Sequence, residues 1–171
     1  MGQICTILIQ VNSSNNLDVF RDKLVNKDFF PGAGTINTLD NQISRITTTG
    51  VDDIIQIRFG SLDYKFNQNN NMVCIRINRG WSDFLSYPPT TEITRQICLE
   101  AMGYFESKEA IYLSDMYSYD FFYDGSSWSD IKTSLARRLG PPAQTIGEIY
   151  KEYEEHIETD GYFIEIRQVN V

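Results

Sequence analysis

The chain has 171 residues, 42% of them hydrophobic and 22% charged, which suits one compact domain and is too short for a catalytic domain with a separate cofactor module. Its formal net charge of −8 is lodged in the second part: residues 1–99 hold nine acidic and nine basic side chains, residues 100–171 fourteen and six. A phosphate backbone or an anionic membrane is held by basic patches, so neither nucleic acid nor membrane is an expected partner.

In chain order, Gln3–Val11 alternates with apolar residues on both sides, which predicts a strand central in a sheet. Asn12–Asn16 offers helix caps, and Leu17, Phe20, Leu24 and Val25 recur at helical spacing, predicting a helix over about 16–26. Phe29-Phe30-Pro31-Gly32-Ala33-Gly34 reads as a turn; it lacks the third glycine of a dinucleotide fingerprint. Residues 42–49, 53–66 and 72–78 are expected to form a meander, with Gly60-Ser61 bending the second strand and residues 68–71 an exposed turn.

Pro88-Pro89 is read as a stop, after which Thr90 or Thr91 caps a helix striped by Ile93, Ile97, Ala101 and Tyr104 that ends near Gly103. Ala110–Leu113 and Tyr119–Tyr123 are expected as two short strands. Ser127, with Asp130 in the first turn, caps a helix that buries Trp128, Ile131, Leu135 and Leu139, and Gly140-Pro141-Pro142 stops it. Thr145-x-x-Glu148 has the form of a capping box before a further helix with Ile146, Ile149, Tyr153 and Ile157 on one face. The last strand is expected over Tyr162–Val169. Irregular mixing of strands and helices predicts an α+β single domain over 1–171: a largely antiparallel or mixed sheet with about four helices packed mainly on one face.

Cys5, Cys74 and Cys98 are odd in number and far apart, and are expected as reduced, mostly buried thiols. His156 is the only histidine, which excludes sites built on two; Glu152 and His156 at i, i+4 are expected as weak charge partners on a helix, and neither metal nor cofactor is expected. Arg137 and Arg138 fall where cations complement a helix C-terminus. The apolar runs Ile7–Ile9 and Ala110–Leu113 are too short to cross a bilayer, and the first residues lack the basic and apolar start of a secretory signal, so a cytoplasmic protein is expected.

Aromatic and acidic residues interleave from Tyr104 to Asp124. If residues 119–123 are a strand, Tyr119 and Asp120 point to opposite faces. Tyrosine suits a wet interface because it brings large contact area and few torsions to freeze, and Asp115, Tyr117, Tyr119, Asp120 and Asp124 are the candidate partner-binding residues. The same rings also fit a core beneath the last helices. Gly-x-Ser-x-Gly and Gly-Lys-Ser/Thr motifs are absent, and paired carboxylates among Asp115, Asp120 and Asp124 would be the place to seek catalysis. The expected function is therefore a non-enzymatic bacterial protein-binding domain of the immunity or antitoxin type, whose acidic aromatic surface covers a basic, toxin-like partner. The alternatives are a small enzyme with a carboxylate pocket and a subunit of a bacterial assembly.

Overall fold

Strand β1 (Ile4–Gln10) sends Cys5, Ile7 and Ile9 to one side and Thr6 and Leu8 to the other, and all five are buried. A strand apolar on both sides has to be covered on both faces. The computed structural model describes residues 2–10, 43–49, 54–59, 62–67, 72–123 and 126–168. Within them, β1 pairs with β5 (Met72–Gly80) on one edge and β6 (Glu109–Ser114) on the other, both antiparallel. Strands β2 (Ile43–Thr49), β3 (Ile54–Phe59) and β4 (Leu62–Asn67) extend the sheet beyond β5, and β9 (Phe163–Ile166) lies outside β6. The order is β2-β3-β4-β5-β1-β6-β9, every neighbouring pair antiparallel. A small separate sheet joins β7 (Lys151–Glu152) to β8 (Ile157–Glu158).

The α+β class stands, with four α-helices among the described residues. They are divided between the two faces of the sheet, not gathered mainly on one. Helices α1 (Trp81–Ser86) and α2 (Pro88–Tyr104) and a 3-10 turn at Ile146–Ile149 contribute Trp81, Phe84, Cys98, Ala101, Ile146 and Ile149 to the core against Cys5, Ile7, Val73 and Tyr112. Helices α3 (Asp115–Tyr123) and α4 (Trp128–Leu139) place Phe121, Ile131 and Leu135 against Leu8, Cys74, Ile111 and Leu113 on the other face. The physical cause is the two-sided burial of β1, which one helical layer cannot satisfy.

Several local expectations are corrected. The span 53–66 holds two strands, not one bent strand, with Phe59 paired to Leu62 in an antiparallel register; Gly60-Ser61 lie outside the described residues. Pro88 opens α2 instead of ending a segment, since a proline at the first helical position gives up an N–H that has no intrahelical partner. Thr91 donates its hydroxyl back to the carbonyls of Phe84 and Tyr87 instead of capping. Glu106 carries the positive φ (54°) of the turn that ends α2, with the Ser107 N–H reaching the Met102 carbonyl at 2.8 Å.

Residues 119–123 are helical, not extended. Ser114 accepts from the Met116 N–H at 3.2 Å and Asp115 stands in the first turn, so a cap and a charge favoured by the helix dipole start α3 despite its aromatic composition. The segment after Thr145 is no amphipathic helix. Thr145 makes no side-chain cap bond, and after one 3-10 turn Tyr150 is extended. A continued helix would set Glu148 against Glu152 and Glu154 against Glu158 at the i, i+4 spacing that like charges disfavour.

The Ser127 cap is observed, with its hydroxyl accepting from the Asp130 N–H at 3.1 Å. Ile131 and Leu135 are fully buried, whereas Trp128 and Leu139 are partly buried at the margin of the same cluster. Arg137 and Arg138 occupy the last turn of α4, where cations meet the helix dipole. The expected helix over 16–26, the turns at 29–34 and 68–71 and the side chains of Ile93 and Ile97 lie outside the described residues. Leu135→Ala should lower unfolding free energy by about 2–5 kcal/mol in a denaturant titration, because Leu135 has no exposed surface and the vacated volume is enclosed.

Candidate functional site

The acidic residues of the second part do two kinds of work. Glu165 on β9 is 7% exposed and is held by Arg95 of α2 through two bonds, Nε to Oε2 at 2.9 Å and Nη2 to Oε1 at 2.7 Å. Tyr112 of β6 donates its phenol to the same carboxylate at 3.1 Å. This bidentate pair has the strong, directional form of arginine–carboxylate contact, and it raises the guanidinium pKa further. The Arg95 guanidinium also stands 5.8 Å from the ring centre of Phe163, the last of an aromatic series running Trp81, Phe84, Tyr112, Phe163. Cys98 lies beneath this group, and burial pushes its thiol up to about 12. It is therefore protonated at neutral pH and a poor nucleophile. Cys5 is likewise raised by burial, and Cys5, Cys74 and Cys98 are all buried, with no disulfide among them.

On the opposite face Glu109 of β6 accepts from the Trp128 indole at 2.9 Å and from Lys132 Nζ at 3.1 Å. Burial raises its carboxyl pKa, but these two donors outweigh it and leave the group below the ordinary carboxylate range. Glu109 and Glu165 thus fasten one helix on each face to neighbouring strands.

The five expected partner-binding residues are not equivalent. Asp115 accepts from the Ile4 N–H at 2.8 Å and faces Arg76 at 3.8 Å, so its carboxylate is engaged in joining α3 to β1. Tyr117 is half-buried beside the Leu8–Ile131 core, and its phenol reaches Asp160 at 3.5 Å. Burial first, then that carboxylate, raises the phenol pKa. Tyr119 and Asp120 lie in α3 with side chains outside the described residues, and Asp124 lies outside them altogether. In a helix adjacent residues are separated by about 100°, so Tyr119 and Asp120 do not mark opposite faces as a strand would have made them. Met116, in the first turn of α3, is exposed.

Sequence reasoning missed the segment that leaves most of its side chains in solvent. Six of the fourteen acidic residues after position 99 stand between 148 and 160, against the single basic residue Lys151. Glu148, Glu152, Glu154, Glu155, Glu158 and Asp160 are all exposed. Tyr153 and Ile157, expected on a buried helical face, are 49% and 52% exposed. Glu152 and His156 do not share a helix; His156 stacks on Tyr153 at 4.8 Å and meets Glu158 at 3.3 Å. The density of carboxylates was the available signal, since so many like charges are incompatible with burial. The Tyr117–Asp160 contact brings α3 to the end of this segment, so the two acidic, aromatic stretches meet.

Among the described residues no three His, Cys, Asp or Glu side chains gather as a metal site, and no helix is long and apolar enough to cross a membrane. Comparison of the chain with protein-family models, curated proteins and solved structures finds no match.

Two outcomes follow from the internal carboxylates. Arg95→Ala leaves Glu165 and Tyr112 without their cation and should cost about 1–3 kcal/mol in a denaturant titration. Glu109 has a depressed folded pKa, so its contribution is present above the unfolded value near 4.3 and disappears as pH falls through the folded value. Glu109→Gln should lower the thermal midpoint at pH 7, and the difference from the parent should shrink as the pH is taken below about 4. An equal difference at both pH values would contradict the assignment.

Proposed function

We propose that the chain is a non-enzymatic protein-binding domain that covers a basic partner with an acidic, aromatic surface, in the manner of an immunity or antitoxin-type inhibitor. The observation that carries this reading is the exposure of all six carboxylates between positions 148 and 160, beside Tyr153 and Ile157. A toxin that acts on nucleic acid must present basic residues to phosphate, and an acidic face accelerates encounter with such a surface and orients the complex. The partner-binding region is centred on this segment and reaches α3 through Tyr117 and Asp160, while Asp115 holds the start of α3 to β1.

For the enzyme alternative, Asp115 of the candidate carboxylates is engaged by the Ile4 N–H, Asp120 and Asp124 lie outside the described side chains, and a largely buried polar group among the described residues is Cys98, Tyr112, Glu165 and Arg95. Its thiol and phenol are both held in their protonated forms by burial, and its carboxylate is already bound by Arg95. That arrangement suits fastening α2 to the sheet better than nucleophilic or base chemistry.

The test is kinetic. A basic protein that co-purifies with the chain from its source cell should associate at least tenfold more slowly at about 0.5 M salt than at about 0.05 M, as screening shortens the reach of the acidic field. An association rate indifferent to salt removes electrostatic recognition, and co-purification of acidic proteins alone removes the basic partner.

A further inference from the structure

We propose that the β7–β8 hairpin is a preformed docking finger for an arginine-rich surface of the partner protein. This rests on the partner-binding reading and assigns it to one element. Both ends of the finger are anchored in the core. Ile146 and Ile149 are buried before it, and Tyr162 is buried after it. The Trp81 indole donates to the Thr159 carbonyl at 2.8 Å, and the Ala143 N–H to the Tyr162 carbonyl at 2.9 Å. Gly161 crosses at φ 151° in a place where a Cβ would lie 3.1 Å from Ile149 Cγ2, so the return of the chain is closely fitted. Between these anchors every residue from 151 to 158 is exposed.

A pairing of two residues per strand is marginal by itself, yet this one is braced at its tip. The Tyr153 N–H donates to the His156 carbonyl at 2.8 Å, and the two rings stack at 20°. A shape held before contact has less freedom to lose on binding. The exposed side chains also define the chemistry of what covers them. Tyr153 and Ile157 are two of the six large hydrophobic residues exposed among the described residues, and they stand on a hairpin with four carboxylates and one lysine. Apolar surface calls for a protein partner, and the charge calls for a basic one. Arginine satisfies both requirements: its planar fork binds carboxylates in bidentate fashion, and it stacks on tyrosine faces, neither of which the lysine ammonium does as well.

The full chain titrated with an octa-arginine peptide at about 50 mM salt, followed by amide chemical shifts, tests this assignment. Saturable shifts should concentrate in residues 148–160, and an octa-lysine peptide of equal charge should bind more weakly. Tyr153→Ala should weaken octa-arginine binding about fivefold or more, and Glu154→Lys with Glu155→Lys should abolish saturation, with amide shifts elsewhere unchanged as evidence of an intact fold. Saturable binding with shifts centred outside 148–160 would overturn the finger and leave the partner-binding reading standing. Absence of saturable binding to either peptide would remove both. Concentration-dependent shifts of the hairpin without peptide would make a second copy of the chain its occupant and overturn the basic partner.

Discussion

The rest of the structure hangs on β1, whose backbone is hydrogen-bonded along both edges and whose side chains are buried on both faces. One edge belongs to β5 and the other to β6, so this single strand joins the β2–β5 meander to the C-terminal elements. From Cys5 to Ile9 the strand is buried, so a ladder bond lost there would leave a buried polar group unpaired. Two-sided burial also requires two helical layers. That requirement places α1 and α2 on one face and α3 and α4 on the other, and α4 meets it with an apolar stripe of its own, Ile131 and Leu135.

Each layer is tied to the sheet by a carboxylate. Glu165 holds Arg95 on one face, and Glu109 holds Trp128 and Lys132 on the other. Asp115 performs a related task where β1 begins, accepting from the Ile4 N–H. A partly buried carboxylate contributes here because several donors meet it at once; an isolated surface ion pair adds little. The exposed acids of 148–160 contribute little to stability by the same reasoning, and their mutual repulsion opposes compactness slightly. Among the described residues the acids therefore include some that hold helices in place, Glu109, Glu165 and Asp115, and others, those of 148–160, that project a field into solvent.

That separation decides how the acidic character bears on function. Counting carboxylates over the C-terminal part cannot distinguish a ligand of Arg95 from a side chain open to a partner, because both are simply Glu in the chain. Their surroundings divide them. Tyr117 stands at the boundary, packed against the core with its phenol turned to Asp160. It links α3, within the aromatic stretch, to Asp160 at the end of the exposed acidic segment.

Local pattern was enough for the α+β class, the central place of the first strand, the strand content of the middle, the Ser127-capped helix and the burial of all three cysteines. These rest on local periodicity or on caps, which act within a few residues. Contacts between distant parts of the chain account for the helix over Tyr119–Tyr123, for the exposure of Tyr153 and Ile157 and for the engagement of Asp115 where β1 begins. A run of alternating aromatic and acidic residues fits a half-buried strand or a capped helix equally well until its neighbours choose, and here Ser114 and Asp115 start the helix while Phe121 finds the core beside Leu8 and Ile131. The spacing of Ile146, Ile149, Tyr153 and Ile157 likewise matches a helical stripe, but only the first two meet apolar neighbours. Periodicity records which residues could share a face; whether anything covers that face depends on distant parts of the chain.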